Sequence, residues 1–176
     1  MAALAIWDTD SGTFDLWALH QGIAEQRRDI CAVLGVAPGC VRVRSERVGG
    51  AFGVRGAAFP ETIALLAAAR RVGRPLRWQG GRTDAFPTDC HGGGTRLSGR
   101  LALDAAHRFT AISMQIETDL GSYVHPVGAH IAVNKPLMTV TGCYRIPVAR
   151  AAFDLCFSNA VAMAPTGVPG ARTSPC

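Results

Sequence analysis

The stretch Val48-Gly49-Gly50-Ala51-Phe52-Gly53-Val54-Arg55, followed by Pro60-Glu61, holds the residue types best suited to binding a ligand. Glycines reach backbone angles closed to other residues and let a ligand approach the main chain closely. Loop amides, and the N-terminus of the helix that Pro60 announces, favour anionic groups. The same residues would also serve a tight strand-to-helix connection with no ligand, because a glycine motif alone is a weak signal.

Other chemistries find little support. His20, His91, His107, His125 and His130 show no pairing two or four residues apart on one element. The nearest pair, His125 and His130, is spaced poorly for one helix face. Cys31, Cys40, Cys90, Cys143, Cys156 and Cys176 form no C-x-x-C pair. Most read as small buried thiols of a reducing compartment rather than metal or iron–sulfur ligands. No G-x-S-x-G elbow frames a serine nucleophile.

The elements that must position the glycine loop follow from periodicity. Residues 4–8 and 14–19 read as strands joined by the turn Asp10-Ser11-Gly12. Ile23, Ile30, Val33 and Leu34 recur at helical spacing, ended by Gly35 and Pro38, and 41–44 alternates as a strand. Pro60 suits a first helical turn and Glu61 its dipole; Ile63 to Ala69 is apolar, and Gly73 and Pro75 stop the helix. Residues 76–79 read as a short strand and 80–95 as loop. Residues 97–103 and 109–120 flank Asp104-Ala-Ala-His107 as a hairpin, with Ile112, Met114, Ile116 and Thr118 on one face. A short helix is expected near 128–134 and a last strand over 148–158. Hairpins with two main helices inserted predict an α+β fold with mixed and antiparallel sheets. No G-x-G-x-x-G follows the first strand, which argues against a dinucleotide-binding fold.

At 176 residues the chain predicts one domain with room for two lobes. Such a length buries roughly 70% of its unfolded surface if it folds alone. Charged residues make up 18%, a low share of the kind a piece of a larger protein shows. The net charge of +5 rests on 17 arginines and one lysine, Lys135, scattered along the chain. That scatter argues against a nucleic-acid partner and suits an anionic cofactor. Met1 to Trp7 is apolar but lacks a basic start and runs into Asp8, so no secretory leader is read. No stretch approaches the ~20 apolar residues of a membrane span. A cytoplasmic location is expected.

The strings VGGAFG, FPE, LALD, DLGSY and TGCYRIP stand in that order along the chain. In this order they resemble the molybdenum-cofactor-binding large subunit of the xanthine dehydrogenase and aldehyde oxidase family, which includes the aerobic carbon monoxide dehydrogenases. The family pattern is a VGGGFG-type loop, a Pro-Glu helix start, an LGAY strand and a TG-x-YRIP segment. The resemblance runs from about Ala3 to about Gly167 and implies part of a molybdenum-cofactor-binding domain.

The resemblance implies roles for individual residues. Gln21 matches a glutamine that points at the molybdenum centre, although Ala18-Leu19-His20 stands where Ser-Thr usually precedes it. A neutral amide can donate to a metal oxo group or a cofactor phosphate. Gly50, Phe52 and Gly53 match the loop that wraps the dithiolene end of the pterin, and Ala51 replaces the usual third glycine. Xanthine-oxidising members carry a glutamate where this chain has Gly56, so xanthine is not the expected substrate. An aldehyde, a heterocycle or carbon monoxide remains. The resemblance further implies a molybdenum–molybdopterin cofactor, possible in its cytosine dinucleotide form, and iron–sulfur and flavin subunits as partners.

The family's catalytic glutamate falls beyond residue 176, and Met1 falls inside the family's sequence, so residues 1–176 are expected to be a partial first molybdopterin-binding domain. After Pro165-Thr166-Gly167 the family continues with Tyr-Arg-Gly-x-Gly-Arg, whereas this chain reads Val168-Pro-Gly-Ala-Arg-Thr173. Degenerate codons can be chosen for those residues, GTA-CCG-GGG-GCC-CGG-ACG, that shifted by one base with A or T next read Tyr-Arg-Gly-Pro-Gly-Arg, so the sequence is compatible with a one-base deletion near codon 168. On that hypothesis residues 168–176 are expected to be out of frame. The leading reading is a fragment of a molybdenum hydroxylase, inactive without the remainder of the large subunit. The alternatives are a non-catalytic remnant or partner-binding fragment, and an unrelated small α+β binding protein.

Overall fold

A computed structural model describes residues 1–92 and 94–164. The segment from Pro165 to Cys176, with the expected frame change over 168–176, lies outside the described residues. The chain divides into two compact units, the second beginning at Cys90.

The first unit opens with β1 (Ala2–Asp8) and β2 (Thr13–Ala18). Asp8 builds the turn between them. Its Oδ1 accepts the Asp10 N–H at 3.0 Å, and the Ser11 hydroxyl donates to its Oδ2 at 2.7 Å. Then follow α1 (Ile23–Leu34), β3 (Val41–Arg44), α2 (Pro60–Val72), β4 (Leu76–Gln79) and α3 (Arg82–Thr88). The sheet order is β3-β2-β1-β4. β1 pairs antiparallel with β2 and β4, and β2 pairs parallel with β3, so the sheet is mixed. Alternation along β1 and β2 sends Ala3, Ala5, Phe14, Leu16 and Ala18 to one face. Against it pack Ile30 and Cys31 of α1, and Leu65, Leu66 and Ala69 of α2. Phe14, Leu16, Ile30 and Leu66 are fully buried, each stabilising the fold by about 1.5–3 kcal/mol at most.

The second unit is built on β5 (Thr95–Leu103), β6 (Phe109–Asp119) and β7 (Val148–Cys156), with α4 (Gly128–Thr139) between the last two strands. β5 and β6 are antiparallel, and β6 and β7 parallel. Ile112, Met114, Ile116 and Thr118 do share a face, opposite Leu101, Gly99, Leu97 and Thr95. Leu120, Ala132 and Met163 form a small core.

The α+β class and mixed sheets agree with the sequence reading, and α1 and α2 are its two main helices. Three local expectations are corrected. Residues 80–95 are not all loop, since α3 occupies 82–88. Asp84, which reads as a loop residue, caps this helix by accepting the Gly81 N–H at 2.8 Å, and the Thr88 hydroxyl donates to the Asp84 carbonyl at 2.7 Å. α4 runs to Thr139, past the expected end near 134, and carries Pro136 within it. The parallel pairings of β2 with β3 and β6 with β7 make two crossovers through helices, which the hairpin reading did not contain.

Candidate functional site

The chain between β3 and α2 makes a loop of unusual backbone. Gly49, Gly50 and Gly53 have φ of 68°, 120° and 87°. Phe52 also sits at positive φ, 51°, which is strained for an aromatic residue. The Val54 N–H donates to the Ala51 carbonyl at 3.1 Å, and a single 3-10 turn covers Val54–Gly56. The Phe52 side chain is 79% exposed and folds back over Gly50. A Cβ added to Gly50 would lie 2.8 Å from Phe52 Cε2, so the exposed ring would have to swing aside, while the φ of 120° itself requires a glycine. Ala51 is not among the positive-φ residues, so its methyl group puts no strain on the loop and a third glycine is unnecessary there. Among the described residues, the N–H groups of Gly50, Ala51 and Phe52 meet no protein acceptor.

Gln21 lies between β2 and α1 and reaches this loop. Its side-chain Oε1 accepts the Gly53 N–H at 3.2 Å, and its own N–H donates to the Arg55 carbonyl at 3.1 Å. Its Nε2 donates to no described residue. A Cβ at Gly56 would stand 3.8 Å from that Nε2, so a side chain at 56 would rest against the Gln21 amide. The structure thus brings Gln21 directly onto Gly53, in the loop that also carries Gly50 and Phe52.

Sequence reasoning missed His20. It is buried, 3% exposed, where its spacing had suggested only an unpaired histidine. Ser45, just past β3, holds its backbone in both directions: the His20 N–H donates to Ser45 Oγ at 3.0 Å, and that hydroxyl donates to the His20 carbonyl at 3.1 Å. The Gly22 N–H donates to His20 Nδ1 at 2.8 Å. An accepting Nδ1 fixes the neutral tautomer with its proton on Nε2. Burial lowers the His20 pKa, against the opposing influence of the Ala57 and Gly22 backbone and of Glu25 and Asp29. Nε2 is buried and closes no hydrogen bond of good geometry, although the Ala57 backbone lies close enough to influence its titration. The available signal was its place beside Gln21.

None of the groups in the Gln21–Gly53 cluster titrates, so the cluster is equipped to bind and orient and not to move protons. Among the described residues no three His, Cys, Asp or Glu side chains gather in a metal-holding group. A groove of about 320 Å³, lined by Leu4, Trp17, Arg44, Glu46 and Arg77 among others, contains none of Gln21, Gly50, Phe52 or Gly53. No helix among the described residues is long and apolar enough to cross a membrane.

The family model described as the molybdopterin cofactor-binding domain matches residues 1–171. Subunit gamma of the 6-hydroxypseudooxynicotine dehydrogenase complex of Paenarthrobacter nicotinovorans is 29% identical over 169 residues, covering 93% of this chain and 20% of that protein. The aldehyde oxidoreductase molybdenum-binding subunit PaoC of Escherichia coli is 36% identical over 114 residues, covering 64% of this chain and 15% of its own length. The structure of quinoline 2-oxidoreductase from Pseudomonas putida 86 superposes with a TM-score of 0.85 at 25% identity, covering 94% of this chain and 21% of that one. The chain therefore spans about a fifth or less of the length of these relatives.

Proposed function

The chain belongs to the molybdopterin cofactor-binding domain family, and from that premise we propose that it forms one wall of the cofactor site of a molybdenum hydroxylase. The observation that carries this reading is the bond from the Gly53 N–H to Gln21 Oε1 at 3.2 Å. It sets the uncommitted Gln21 Nε2 beside a loop whose Gly50, Ala51 and Phe52 amides are also uncommitted. An acceptor-rich, anionic pterin cofactor fits such a set of donors.

In this reading Gln21, Gly50, Phe52 and Gly53 are the cofactor contacts. Gln21 Nε2 donates to an acceptor on the cofactor. The loop amides receive its pterin end at the close approach that Gly50 allows. The exposed Phe52 ring covers the contact from water. When bound, the cofactor supplies two-electron oxidative hydroxylation with water as the oxygen source. Gly56 presents no side chain to a substrate, which favours an aldehyde, a heterocycle or carbon monoxide over xanthine. The base and the remaining cofactor walls belong, in this proposal, to further parts of a longer large subunit, working with iron–sulfur and flavin subunits in the cytoplasm. The cofactor is proposed in its cytosine dinucleotide form.

A second reading, a non-catalytic fragment that binds a partner, draws on Leu97, Leu101 and Leu103, each about half exposed along β5. The two are separated by expressing the chain in a host that makes the cofactor and measuring molybdenum and pterin per mole of purified protein. The proposal expects both to be present, and to fall about tenfold in Gln21→Ala, the loss of one good hydrogen bond to a charged group. Absence of both from the unmodified chain would contradict it.

A further inference from the structure

We propose that His20 is a positioning residue whose Nδ1 pins the Gln21-Gly22 turn and so holds the Gln21 side chain on Gly53. The inference rests on the reading that the Gln21 loop holds the cofactor, but its geometry stands apart from that reading.

Three successive residues are tied to three different places. His20 is bound through its backbone to Ser45 at 3.0 and 3.1 Å. Gln21 is bound to Arg55 at 3.1 Å and to Gly53 at 3.2 Å. Gly22 is bound to the His20 ring at 2.8 Å. Gly22 is the N-cap of α1 and has no side chain to cap the helix. The first N–H groups of a helix lack partners within it, and here a ring from two residues back accepts one at the helix entrance. A buried ring fixed at both its backbone and its Nδ1 leaves Gln21, between the two anchors, little freedom to turn. An apolar side chain of similar size would fill the space but accept nothing from Gly22. An imidazolium would carry protons on both nitrogens and accept nothing either. Glu25 and Asp29 of α1 are the charged groups that act on the ring.

The shape of an asparagine offers the control, because its side-chain oxygen can take the place of Nδ1 as acceptor while the rest of the ring is lost. The experiment uses the whole 176-residue chain, uniformly labelled with nitrogen-15. In the unmodified protein at neutral pH, the His20 nitrogen shifts should report a neutral ring with its proton on Nε2. In His20→Leu the Gly22 amide should exchange at least tenfold faster. The Gln21 side-chain amide order parameter should fall below about 0.6, the flexible range. In His20→Asn both values should stay near those of the unmodified chain. Pterin-cofactor binding, measured on the same three proteins, should weaken about tenfold in His20→Leu and less than threefold in His20→Asn.

A ring protonated on Nδ1, a Gln21 amide as rigid in His20→Leu as in the original, or equal damage from Asn and Leu would overturn the proposal. If His20→Leu does not fold, the ring tautomer and the His20→Asn comparison still decide it. If no protein binds the cofactor while the NMR differences persist, the cofactor reading fails and the positioning role stands.

Discussion

Gln21 and Gly53 meet through a side-chain oxygen and a backbone N–H 3.2 Å apart, joining the entrance of α1 to the loop before α2. Through that contact an exposed glutamine gains a fixed direction. Replacing Gln21 with alanine should therefore loosen the loop while leaving the core intact. The expected cost in stability is about 0.5–1.5 kcal/mol, the net worth of one hydrogen bond, and near the lower end because Gln21 is exposed. Urea unfolding of the 176-residue chain would measure it; a cost well above this range would mean that Gln21 supports the fold itself.

Gly50→Ala meets a φ of 120°, while the exposed Phe52 ring at 2.8 Å from the new methyl can swing aside. The expected destabilisation is about 1–3 kcal/mol. In a Phe52→Ala background the ring is gone and the backbone strain remains, so most of the cost should persist. A cost that disappears with the ring would show that the ring and not the backbone requires glycine at 50.

Gly121→Ala should be the more damaging glycine substitution. A Cβ at Gly121 would fall 2.1 Å from the Val161 carbonyl oxygen, and the residue has φ 77°. Backbone has to move to admit it. We expect a loss at the top of the usual range for single substitutions, about 3 kcal/mol, confined to the second unit. Hydrogen exchange resolved by residue would show the loss beyond Cys90, with Ile30 and Leu66 amides unaffected.

Acid should destabilise the chain through its buried histidines. Burial lowers the pKa of His20, and burial also lowers that of His125. A folded pKa below the unfolded value of 6.5 means that the unfolded chain binds more protons in the interval between them. Both groups thus contribute stability that is full above about 6.5 and is lost as pH falls toward their folded values. Urea midpoints measured from pH 8 to pH 5 should fall below about 6.5, and His125→Asn should flatten part of that fall. A midpoint that rises on acidification over this range would contradict the assignment. Asp8, Asp104 and Asp119 are lowered by hydrogen bonds, led by those from Ser11, Arg108 and Gly121, and their contribution is lost only below the ordinary carboxylate range.

Most elements were legible because their causes are local. The turn at Asp10-Ser11-Gly12 is held locally by the Asp8 carboxylate, which accepts from the Asp10 N–H and the Ser11 hydroxyl, and Gly35 and Gly73 end α1 and α2 as their positions suggest. The parallel pairings were not legible, because Phe14 meets Val41 and Ala111 meets Val148 across long stretches whose periodicity carries no record of the partner. At the site, Gly50, Phe52 and Gly53 were marked by composition, while Gln21 was marked only by resemblance. Its bond to Gly53 depends on where β2 and α2 place their flanking loops. His20 was hidden because nothing about a lone histidine announces a backbone partner two residues on.

The most direct measurement is a titration of the nitrogen-15-labelled 176-residue chain with the molybdenum–pterin cofactor, followed residue by residue. The account predicts that the Gly50, Ala51, Phe52 and Gly53 amides and the Gln21 side-chain amide shift first and together, and that Phe52→Ala weakens the response. Shifts confined to other residues, or none at cofactor concentrations far above those that load a full-length relative, would contradict it.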